Sequence, residues 1–143
     1  MPTDLKVLTD TIEECYEFTL SYAAKGLPAD EGSESGRQLR EHLTRAAAAL
    51  RALEAACDGA VYAADLQPAE TYLAFTLVLA RDAQSAVAAV DLVLAQPAIG
   101  SQLIDNLNAS MHLRALLTDL FLFTEVLDTQ EARRAHQAAG AAQ

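Results

Sequence analysis

Apolar residues recur along this chain at alternating spacings of three and four, the pattern of helices that each bury one stripe. The first stripe is Leu5, Leu8, Ile12, Cys15, Thr19 and Tyr22, which predicts a helix from about Asp4 to Lys25. Gly26 and Pro28 close it, since glycine accepts the left-handed stop and proline cannot continue a helix. Residues 28–36, PADEGSESG, read as a turn-rich connection. The second stripe is Leu39, Leu43, Ala46, Leu50, Leu53 and Cys57. Ser35-Gly36-Arg37-Gln38 has the form of a capping box, so Ser35 is expected to open this helix and Asp58-Gly59 to end it.

Residues 60–67 are expected to form a longer connection, and Pro68 can open a third helix, where its missing amide proton costs nothing. That helix should run to about Gln96, before Pro97. Ser101 is expected to cap a fourth helix reaching about Asp128, with Asp105 near the positive end of its dipole. The Ala-rich tail 129–143, with Arg133, Arg134 and His136, reads as a frayed extension or a short extra helix. No β-alternation is sustained. The expected fold is all-α: one domain over 1–128, an up-down-up-down antiparallel four-helix bundle, with a short C-terminal extension.

Short links also set register. Helices 1 and 2 should fold back near Asp30, which puts Glu13, Glu14 and Glu17 at the levels of Ala47, Ala46 and Leu43. Arg40, Arg45 and Arg51 flank those levels, so cross-helix ion pairs are expected there. Cys15 falls level with Arg45 and Cys57 level with Thr3, too far apart for a disulfide. Helices 3 and 4 should fold back near Ala98, so that YLAFTLVLA, 72–80, faces LLTDLFLFT, 116–124. That end of the hairpin is apolar on more than one face. A bundle core uses one stripe per helix, so the surplus needs another surface to cover it. The candidate interaction surface is Tyr72, Phe75, Leu77, Val78, Phe121, Leu122 and Phe123.

Charge narrows the partners. The net charge is −10. Binding a nucleic-acid backbone requires cations that displace counterions, so no nucleic-acid partner is expected. An anionic membrane surface is disfavoured for the same reason, and the longest apolar run, 71–80, is too short to span a bilayer. The N-terminal MPTDLKVLTD does not read as a signal peptide, so the expected location is cytoplasmic, with both thiols reduced.

Chemistry is thin. TIEECYEF, 11–18, holds Glu13, Glu14 and Glu17, which suggests half of a ferritin-like di-metal site. Such bundles also need Glu-x-x-His on two other helices. Here Leu39 precedes His42 by three, Ala109 precedes His112 and Arg133 precedes His136. The three glutamates also sit off the Ile12–Cys15 stripe. His42 in REHLTRAAAAL loosely resembles the histidine of small phosphotransfer bundles, with Arg45 as the cation, although the glycine expected nearby is Ala46. Met111 and His112 are adjacent on a helix, about 100° apart, so they cannot both ligate one haem iron. No catalytic, cofactor-binding or metal-binding residue is assigned. The leading expectation is a non-enzymatic bundle acting through protein–protein interaction as a homodimer. The alternatives are a degenerate ferritin-like bundle holding a metal or hydrophobic ligand, and a phosphotransfer-like module using His42.

Overall fold

Each apolar stripe becomes the buried side of a helix. A computed structural model describes residues 1–142, and among them it holds five α-helices and no strand. They are α1 (Thr3–Ala23), α2 (Glu34–Ala63), α3 (Ala69–Leu94), α4 (Ser101–Ala109) and α5 (His112–Ala141). α1 buries Leu5, Ile12, Cys15, Thr19 and Tyr22, and α2 buries Leu39, Leu43, Ala46, Leu50, Leu53 and Cys57. α2 also buries Ala47 and Ala49, small enough to let helices close in on both sides. α1 and α3 each pack against α2 on one side and against α4 and α5 on the other.

The α1–α2 register is the expected one. Phe18 stacks on His42 with ring centroids 4.6 Å apart. Arg45 acts on Cys15, and Asp4 acts on Cys57, at opposite ends of the hairpin. Both thiols are buried, and burial pushes each up to about 12.

The expected fourth helix is two helices. It breaks at Met111, a residue in the left-handed region (φ 66°), which ends α4 and redirects the chain into α5. Asn106, Asn108 and Ser110 crowd this point. Their side chains bond locally or elsewhere better than they support a helix interior. Ser110 donates to the Leu107 carbonyl at 2.6 Å, and Thr19 donates to Asn108 Oδ1 at 2.9 Å. The helix count is therefore five, not four.

Several boundaries also move. Ser33 caps α2, accepting from the Gly36 amide at 3.0 Å, in place of the expected Ser35. α2 passes through Gly59 to Ala63 because Ala60 and Val61 still have core to bury. Gly100 caps α4, while the Ser101 hydroxyl is drawn inward to the Tyr22 carbonyl. Over its described part the expected tail continues α5, which runs unbroken past Asp128 to Ala141. Arg134 caps the end of α2 through the Ala64 carbonyl, and the Met1 amine donates to Asp128 and Glu131. Gln143, the last residue of the expected tail, lies outside the described residues.

A buried knot holds the loop end together. Asp30 sits almost fully buried between the α1–α2 and α3–α4 connections. It accepts from the Arg40 guanidinium and from the Ile99 amide, the latter at 2.7 Å. Arg40 goes on to the Leu94 and Gln96 carbonyls, left free at the end of α3. Tyr22 donates to the Ile99 carbonyl at 2.7 Å, and Ser101 bridges Tyr22 and Leu27. Gly36 is pressed against the Asp30 carbonyl so closely that a Cβ there would sit 1.9 Å from it. The Arg40 guanidinium holds the Asp30 carboxyl below its ordinary range.

Candidate functional site

α5 presents its outer side between two grooves. On one side, Thr71, Tyr72 and Phe75 of α3 face Leu122, Phe123 and Val126 of α5 across a cavity of about 180 Å³ with almost wholly apolar walls. On the other, Glu13, Tyr16, Glu17 and Leu20 of α1 face Arg114, Leu117, Thr118 and Phe121 of α5 across about 340 Å³. Phe121 and Leu122 form the ridge between them, 45% and 56% exposed. Burying a large apolar side chain is worth about 1.5–3 kcal/mol, so a ridge of two such residues between partly apolar grooves favours a covering surface.

The expected surface residues fall in three places. Tyr72 and Phe75 are half-buried walls of the α3–α5 groove. Phe123 is 2% exposed and forms its floor, with its ring 6.4 Å from that of Phe75. Val78 is exposed on the same α3 stripe as Thr71 and Phe75, whereas Leu77, also exposed, is turned about 100° from it along the helix. Tyr72, Phe75, Val78, Leu122 and Phe123 thus border or floor one seam, Phe121 flanks it, and Leu77 lies apart.

At the far end of the seam the lining turns acidic. The Asp82 and Asp119 carboxyls lie close enough across it to interact. A hydrogen bond to Asp82 that forms when Asp119 is protonated, then burial and the like charge of Asp82, push Asp119 up to about 6. Sequence reasoning missed this pair because a fold-back near Ala98, extended past residue 80, sets Asp82 level with Arg114. The break at Met111 slides α5 along α3, so Phe75 meets Phe123 and not the expected Phe121. The clustering of low-propensity residues at 106–110 is the signal that could have shown the break.

The remaining candidates stand apart from this face or only border it. Among the described residues, no group of three or more His, Cys, Asp and Glu side chains could hold a metal ion. His42 is half-buried against Phe18, and burial lowers its basicity, with Arg45 adding to the effect. His112 and His136 are exposed on α5. The expected pairing of the α1 glutamates with the α2 arginines is replaced. Arg40 turns to Asp30 and Arg51 to Asp91, both nearer acids, while Glu13 and Glu17 line the groove beside Arg114. No helix among the described residues is long and apolar enough to cross a membrane. No protein family, characterised protein or solved structure matches this chain.

Proposed function

We propose that this chain is a non-enzymatic helical protein that acts through protein–protein association, and that it self-associates as a homodimer through the face formed by α3 and α5. The observation that carries this reading is the adjacent exposure of Phe121 and Leu122 on a ridge beside the apolar Tyr72–Phe75–Phe123 groove. A two-fold assembly applies one such face to itself and covers both copies at once. We further infer that α4 and α5 act together as one broken leg, completing an up-down-up-down antiparallel four-helix bundle with α1, α2 and α3. The two buried free thiols suit a reducing cytoplasm.

Sedimentation equilibrium tests the association. The intact chain is expected to sediment as a dimer at micromolar concentration, and Phe121→Asp to sediment as a folded monomer. A wild-type chain that stays monomeric across that range overturns the reading.

A further inference from the structure

The outer stripe of α5 is charge-asymmetric about its apolar centre. Arg114, Thr118, Phe121, Glu125 and Asp128 follow one another at spacings of four, three, four and three, so they share one line on the helix, and all five are exposed. Arg114 lies seven residues before Phe121 and Asp128 seven after it, a total run of roughly 21 Å. A cation ends the stripe on one side, and carboxylates end it on the other.

Resting on the self-association reading above, we propose that the second copy docks with its α5 antiparallel to the first, about a two-fold axis passing between Phe121 and Leu122. In that register Phe121 meets the partner's Leu122, Thr118 meets the partner's Glu125, and Arg114 lies beside the partner's Asp128. Symmetry makes each contact twice. The parallel arrangement sets Arg114 on the partner's Arg114 and Asp128 on the partner's Asp128, which places like charges together at both ends. Two copies that each carry −10 repel at long range, so the docking face must supply opposite charges locally. The antiparallel register does so. A stripe with three-four spacing also suits the shallow crossing of helices packed along their length. Asp128 accepts from the Met1 amine through Oδ1 at 3.0 Å, and its side chain stays 56% exposed.

The test is charge exchange in the full chain, read by sedimentation equilibrium. Arg114→Asp and Asp128→Arg are each expected to weaken the dimer by about tenfold or more, through two repulsive contacts per assembly. The double variant R114D/D128R is expected to regain most of the wild-type affinity, although it too lacks the Met1 contact. A double variant no tighter than the weaker single variant overturns the register, as does a dimer indifferent to all three changes. A monomeric wild type instead overturns the self-association reading on which the register rests. A second readout is independent of affinity. Thr118→Cys with Glu125→Cys is expected to give a covalent dimer on mild oxidation, because the two positions meet across the interface while Cys15 and Cys57 are buried and do not compete. Single-cysteine variants that cross-link as readily as the double variant count against the register.

Discussion

Replacing Asp30 with alanine should unfasten the loop end of the molecule. The carboxylate is buried, and it accepts from the Arg40 guanidinium and the Ile99 amide. Hydrogen bonds to a charged group are each worth about 1.5–3 kcal/mol, and a buried amide left without an acceptor costs about 1–3 kcal/mol. Arg40 is one-third exposed and keeps the Gln96 carbonyl at 3.0 Å, so part of the first loss is recovered from water and from that contact. The net expectation is a destabilisation of about 2–4 kcal/mol, against a typical total of roughly 5–15 kcal/mol. Urea unfolding followed by far-ultraviolet circular dichroism would read it, with an unchanged slope marking a native state that remains compact. Arg40→Ala in the Asp30→Ala background should add less than it does alone, since the two changes remove one shared interaction. The pH dependence has a definite sign. The Asp30 carboxyl is held below its ordinary range, so its contribution is present above about pH 4 and fades as pH falls through its lowered value. A loss below about 0.5 kcal/mol, or full additivity with Arg40→Ala, would refute the claim that this pair ties the two connections together.

Other substitutions probe other joints. Gly36→Ala, which drives a Cβ into the Asp30 carbonyl, should cost more than about 2 kcal/mol in urea unfolding, whereas Gly59→Ala, with open space around it, should not destabilise. Asp119→Asn should stabilise the protein at neutral pH, because a carboxyl whose value is raised to about 6 opposes folding once ionised. The wild type should accordingly lose about 1–2 kcal/mol as pH rises from about 4 to above 6, a loss screened by the partial exposure of the site and absent from the variant. Met111→Gly should raise stability by roughly 0.5–1 kcal/mol, since the side chain is exposed and the left-handed backbone suits glycine. Thermal melts of Met111→Gly beside Met111→Ala would check this, and equal melting temperatures would contradict it.

How much of this was legible depended on how local the signal was. The stripes of α1 and α2 were readable because periodicity alone decides which side a helix buries, and a short connection then fixes the register. Phe18 on His42 and Asp4 beside Cys57 lie where that geometry puts them. The caps were less readable, because Ser33 and Ser35 both begin plausible boxes and the contest is decided by Gly36 fitting against Asp30. The broken fourth helix was hidden by its own apolar pattern, which continues across Met111 while the backbone does not. Everything that depends on the break was displaced with it: the α3–α5 register and the Asp82–Asp119 pair. The excess of apolar surface on these helices was visible as composition. Its division into ridge, groove and buried floor required the fold.

The apolar face of α5 is the centre of the account, and Leu122 is its most exposed part. Sedimentation equilibrium on the wild type and on Leu122→Asp, with circular dichroism to establish that both are folded, tests it most directly. The expected result is a wild-type dimer at micromolar concentration and a variant monomer of unchanged helicity. A monomeric wild type, or a Leu122→Asp variant that dimerises as tightly as the wild type, would contradict it.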